Sequence, residues 1–255
     1  MRTRFARHFS HLPIVQKALY TGVLCVLGCG YLFAMIYIFA SHHGRDGNQM
    51  LTIQDIVIAY SGSKTGTKLE SALQGPMSGM LPADENLKVV EWVQSGASQK
   101  EYEATTKAIF DNRCITCHND RNPHLPSLET YDKVKHTAEE DTGMDLFTLV
   151  RVSHIHLFGL TFIFYLVGSI FIHAYVRHEW LKIAIIIVPF VSITLDISSW
   201  YLTKFYPPFA WLVVGSGALM GISFALQFFI SIYQMWFYKL PEKTKERFYR
   251  ATVSK

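Results

Sequence analysis

Four apolar runs stand out along the chain: Ala18–Ala40, about Leu146–Val176, Leu181–Leu202 and Phe209–Tyr238. Each reaches the roughly 20 residues of helix that cross a bilayer core. One long polar stretch, Ser41–Asp145, separates the first run from the second. Inside it the apolar positions fall at helical spacing. Asp84 after Pro82 predicts an N-cap, Leu87, Val90 and Val93 make a stripe, and Gly96 stands where a glycine closes a helix. Ser98-Gln99-Lys100-Glu101 has the capping-box spacing and opens a second helix through Ala104, Ala108 and Ile109. A third is predicted over Ser127–Val134, where Leu128, Tyr131 and Val134 recur every three residues. Leu51–Tyr60, short and rich in Ile and Val, leaves helix and strand open. The predicted fold is all-α: four transmembrane helices plus a small, mostly helical extracytoplasmic domain. Its divisions are 1–40 (N-terminus and first span), 41–145 (outer domain), 146–238 (three-helix bundle) and 239–255 (basic tail).

Charge orients this arrangement. Arg2, Arg4, Arg7 and Lys17 precede the first span, Arg177 and Lys182 bracket the turn after the second, and Lys239, Lys243, Lys245, Arg247, Arg250 and Lys255 follow the fourth. Short basic segments stay on the cytoplasmic side, so both termini are expected there and Ser41–Asp145 on the other side. That stretch has ten Lys or Arg against sixteen Asp or Glu, a net −6, while the remainder carries +10. The overall +4 is therefore a topology signal rather than a nucleic-acid signal. A basic start before an apolar run also opens signal peptides, but this run is too long, and an uncleaved anchor is expected. Cys25 and Cys29 inside it are expected to be small packing residues beside Gly22, Gly28 and Gly30.

The polar region contains Cys114-Ile115-Thr116-Cys117-His118. Two thiols two residues apart can each add to one vinyl group of a haem, and a histidine directly after the second presents its imidazole to the iron. C-x-x-C alone also fits a redox dithiol or half of a zinc site. The adjacent His118, the lack of a second Cys pair in the region and its expected extracytoplasmic place favour one covalent haem c.

Glu91-Trp92-Val93-Gln94-Ser95-Gly96-Ala97 resembles the last helix of class I cytochromes c, which often reads W-[IV]-x-x-G-A, and Leu73-Gln74-Gly75-Pro76-Met77-Ser78-Gly79-Met80-Leu81-Pro82 resembles their methionine loop. Both precede the CxxCH, so 69–145 resembles a cytochrome c fold with its halves in permuted order. The resemblance implies a methionine as sixth ligand, Met77 first and Met80 second. Met144 takes the role if the order is unpermuted, and His124 or His136 serve a bis-histidine haem.

Ser153-His154-Ile155-His156 resembles an S/T-H-x-H motif of poorly described bacterial membrane proteins that also carry a haem c domain. Ionisable groups inside a membrane are costly and are functional candidates. Successive helical residues turn about 100°, so His154 and His156 point about 200° apart and do not ligate one face of one metal. With His42 and His43 they form candidate ligands for a haem b, and with Asp196 a candidate site of proton or quinol chemistry; the alternative is plain interhelical hydrogen bonding.

The function expected is a membrane-bound c-type cytochrome passing single electrons on the periplasmic side of a bacterial inner membrane, in contact with lipid and redox partner proteins, as a subunit of a larger membrane complex. A quinol-oxidising oxidoreductase subunit and a haem-based sensor or assembly factor are the alternatives.

Overall fold

The computed structural model describes residues 8–63, 66–123 and 125–239, so His124, the first seven residues and most of the basic tail lie outside the described residues. Among the described residues the secondary structure is helical, with one isolated bridge between Thr67 and Glu140 and no strand. Four helices are long and apolar enough to cross a membrane: α1 (Ile14–His42), α8 (Leu146–Phe171), α9 (Glu179–Phe205) and α10 (Ala210–Trp236). Between α1 and α8 lie α2 (Ile53–Ser61), α3 (Lys68–Gln74), α4 (Ala83–Gln94), a helical rod over 99–114 and α7 (Tyr131–Thr137). The rod alternates α5 (Gln99–Glu101), a π turn (Tyr102–Thr106), α6 (Lys107–Ile109) and a second π turn (Phe110–Cys114).

The chain divides into two compact units. The first holds Met1–Met35, Val150–Ser199 and Trp211–Lys255 and is a bundle. Glycine lets its helices approach: a Cβ on Gly28 would stand 3.1 Å from the Phe228 ring, and one on Gly221 2.7 Å from the Tyr31 hydroxyl. Tyr31 then stacks on Phe224 at 4.7 Å. Cys25 and Cys29 are exposed, and a Cβ on Gly22 or Gly30 would meet nothing within 4 Å. The expected packing role thus fails for the two thiols, because the contact face of α1 runs through Gly28 and Tyr31 instead.

Pro189 inside α9 has no N–H, which leaves the Ile185 carbonyl without its helical donor. The Gln227 side chain of α10 supplies the missing bond, its Nε2 donating to Ile185 O at 3.0 Å. A backbone group freed in a membrane must be satisfied internally, and this cross-helix amide does so. Lys182 Nζ likewise donates to the carbonyls of Ile172 (2.6 Å) and Ala174 (2.8 Å) just past the end of α8.

The second unit, Ile36–Leu149 with Trp200–Ala210, contains the polar region. Capping boxes start α2 (Thr52 with Asp55) and α3 (Thr67 with Glu70). The open stretch Leu51–Tyr60 is thus helical from Ile53 onward. Pro82, not Asp84, is the N-cap of α4, and it makes no side-chain cap; Asp84 sits in the first turn, where its charge suits the helix dipole. Ser98 caps the rod as expected, and Gly96 adopts φ +101° at the end of α4. One core joins these elements: Leu69 and Leu73 of α3, Val89, Trp92 and Val93 of α4, Tyr102, Ile109 and Phe110 of the rod, then Leu128 and Val134. Trp92 lies 5.6 Å from Tyr102 and 6.2 Å from Phe110 between ring centroids, and its Nε1 donates to Ser98 O at 3.0 Å.

Two backbone segments cross where a side chain would not fit. A Cβ on Gly62 would fall 1.8 Å from Asp141 O, and one on Gly143 2.3 Å from Tyr60 O; both glycines also hold positive φ. The crossing is tied by Met144 N–H donating to Ala59 O (3.0 Å), and Lys204 Nζ donates to the Thr142 and Met144 carbonyls.

Candidate functional site

The rod delivers the cysteine motif. Its second π turn ends on Cys114, and the chain continues one more helical turn, with the amides of Cys117 and His118 both donating to Cys114 O at 3.1 and 2.8 Å. Both thiols are free; Cys114 is half-buried and Cys117 exposed. Burial, with a smaller contribution from the nearby Glu85 carboxylate, pushes the Cys114 thiol up to about 11. The same burial raises the Tyr102 phenol above its ordinary value.

His118 is fixed by a bond that the sequence does not announce. Its Nδ1 lies 2.9 Å from the Pro126 carbonyl, which can only accept, so Nδ1 carries the proton and Nε2 keeps its lone pair. The Leu128 amide donates to His118 O at 2.9 Å, closing the loop between them. That bond also explains why α7 begins at Tyr131 rather than at the predicted Ser127: the chain before it is committed to His118. Any residue offers a carbonyl, so only the proline's stiffness eight residues after His118 was available as a signal.

Of the methionines, Met77 is half-buried and packs on the same core as Cys114, whereas Met80 is 70% exposed. Met144 belongs to the glycine crossing and is not among the side chains packed on that core. His136 pairs with Glu139 at 2.8 Å on the surface, and His124 lies outside the described residues. Two thiols one turn apart, an imidazole with one nitrogen tied to a carbonyl, and a thioether packed on the same core as Cys114 are residue types that would fit a covalent haem. Among the described residues no three His, Cys, Asp or Glu side chains converge as a site for a bare metal ion.

The membrane candidates separate. His154 and His156 are exposed on α8, His156 with Nδ1 2.9 Å from Val152 O. Asp196 is buried in the same unit, with Ser216 Oγ 3.1 Å from its Oδ1. The three are thus not gathered in one buried site. His42 and His43 belong to the other unit, where their Nδ1 atoms lie near the Ile38 and Phe39 carbonyls at 3.1 and 2.8 Å. Sequence reasoning singled out Asp196 but passed over its buried neighbour Ser216 and the buried Ser223, Gln227 and Ser231 further along α10.

A family model described as a transmembrane helical domain matches residues 141–243, which include α8, α9 and α10. The chain is a multi-pass membrane protein. No curated protein and no solved structure matches it. The family match begins after the cysteine motif, so it bears on the bundle and its lipid contact and not on Cys114, Cys117 or His118.

Proposed function

We propose that this membrane protein is a c-type cytochrome that transfers single electrons through one covalently held haem, on the periplasmic side of a bacterial inner membrane, with both termini in the cytoplasm. The observation that carries the reading is the His118 Nδ1 to Pro126 carbonyl bond beside Cys114 and Cys117 on one turn. When bound, the haem supplies a one-electron ferric/ferrous couple. The chain's own residues do the rest. Cys114 and Cys117 would hold the haem by adding across its two vinyl groups, each sulfur bonding one vinyl carbon and each thiol proton going to the other. Keeping Cys114 protonated suppresses the thiolate that would close a disulfide with Cys117. The Pro126 carbonyl accepts from Nδ1 of His118 and so holds the ring in one orientation. Met77 would hold the iron through its thioether, and both Met77 and Cys114 pack against the shared core around Trp92.

Reductive titration of the purified protein tests the reading. One transition with the slope of a single electron, followed at the haem absorption band, is expected; a protein with no redox-active absorption contradicts it.

A further inference from the structure

The bundle contains a line of buried polar side chains that the proposed haem chemistry does not use. On α10, Ser216, Ser223, Gln227, Ser231 and Gln234 are buried and separated by seven, four, four and three residues, intervals that keep them on one helix face. On α9, Ser192, Asp196 and Ser199 are buried at intervals of four and three. The stripes meet where Ser216 Oγ stands 3.1 Å from Asp196 Oδ1. At the other end Gln234 Oε1 accepts from the Tyr175 amide and lies 3.1 Å from His8 Nε2, and His8 Nδ1 lies 2.9 Å from Ser10 Oγ. Lys182, a cation near His8 at that end, as is Lys17, is committed to the Ile172 and Ala174 carbonyls.

Two atoms of the seam stand without partners: Gln227 Oε1 and Ser231 Oγ, both on fully buried residues. The Gln227 amide nitrogen is held by the carbonyl that Pro189 leaves free, which fixes the side chain and aims its oxygen away from that bond. A Cβ on Gly168 of α8 would stand 3.6 Å from Gln227 Oε1, so glycine there leaves open space beside the orphan acceptor. An acceptor and a hydroxyl one helical turn apart, next to a gap in an apolar bundle, are a seat for water, which donates to one and accepts from the other.

We propose that this seam is a hydrated half-channel, a file of waters seated on Ser231, Gln227 and Ser223, entered from the Gln234 end and carrying protons to the Asp196 carboxyl. Each oxygen in the file accepts one proton and releases another, and Asp196 takes up or gives back one, so no oxidant or reductant is involved. His8 stands at the mouth bonded through both ring nitrogens, Nε2 to Gln234 Oε1 and Nδ1 accepting from the Ser10 amide.

The test is cysteine accessibility in the full-length protein in membranes, with Cys25 and Cys29 replaced by alanine and silver ion as the probe. After exposure the chain is unfolded and alkylated, and peptide masses report which thiols silver had protected. Ser231→Cys, Ser223→Cys and Asp196→Cys are expected to react roughly tenfold or more faster than Leu226→Cys, an exposed position beside Gln227, because the reactive thiolate forms in water and not in hydrocarbon. Gly168→Val, which fills the gap, is expected to slow Ser223→Cys and Asp196→Cys while leaving Ser231→Cys fast. Serine and cysteine are close in volume, so the serine variants fold irrespective of the outcome. Rates equal to that of Leu226→Cys at all three positions mean a dry seam and overturn the proposal. A fast Ser231→Cys with an unreactive Asp196→Cys, or no effect of Gly168→Val, overturns it as well, since the file then does not run past Gln227 to the carboxyl.

Discussion

Two atoms decide the chemistry of the cysteine turn: the Nδ1 of His118, tied to Pro126, and the Sγ of Cys114, half-buried beside Glu85. With its thiol near 11, Cys114 in haem-free protein is ionised in only about one molecule in a thousand at pH 8. Its alkylation rate, followed by peptide mass, is expected to climb about tenfold per pH unit from pH 7 to 10; levelling off near the ordinary thiol value of about 8.5 contradicts the burial argument. The methionines separate in the same way. Met77→Ala is expected to abolish the weak sulfur-to-iron charge-transfer band at the red end of the ferric spectrum and to lower the potential, since a thioether favours ferrous iron. Met80→Ala and Met144→Ala are expected to leave both unchanged, because Met80 is exposed and Met144 belongs to the glycine crossing.

Among the elements, α4 pairs with the rod over 99–114, because Trp92 before the cysteines packs on Tyr102 and Phe110 leading into them. Trp92→Ala removes that contact and the bond to Ser98 O, and is expected to cost about 3–5 kcal/mol in chemical denaturation of the protein. Gly62→Ala and Gly143→Ala each place a Cβ inside a backbone carbonyl's contact distance at positive φ, and each is expected to cost about 3 kcal/mol or more. A change under about 1 kcal/mol at either glycine means that the crossing loosens without loss. The cap at Ser98 was legible because Ser98 and Glu101 carry a side-chain code for it, and the four spans because length and apolarity alone define them, whereas Asp84 was misread as a cap and the boxes at Thr52 and Thr67 were passed over. The glycine crossing was not legible, since it joins residues about eighty apart through backbone atoms. The start of α7 was misread because a long-range bond from Leu128 to His118 overrides the local spacing of Leu128, Tyr131 and Val134. On α10 the serines and glutamines recur at helical intervals, yet each lowers the apolar character of its span too little to draw notice.

For the whole molecule, the all-α membrane architecture follows from sequence pattern, whereas the side of the membrane follows only from the placement of basic residues. Reporter fusions at the two ends are expected to report cytoplasm and one near Gly62 periplasm; a C-terminus on the same side as Gly62 contradicts an even number of spans. The net −6 of the polar region predicts a basic redox partner, with an electron-transfer rate that falls as salt is raised. The proposed electron transfer depends on one claim, that Cys114 and Cys117 carry a haem. The direct measurement is a pyridine haemochrome spectrum of the purified protein after acid–acetone extraction. Thioether-linked haem resists that extraction, so the account predicts one haem c per chain remaining with the polypeptide and its loss in the Cys114→Ser, Cys117→Ser double variant. A colourless polypeptide after extraction, or a haem that leaves with the acetone, contradicts it.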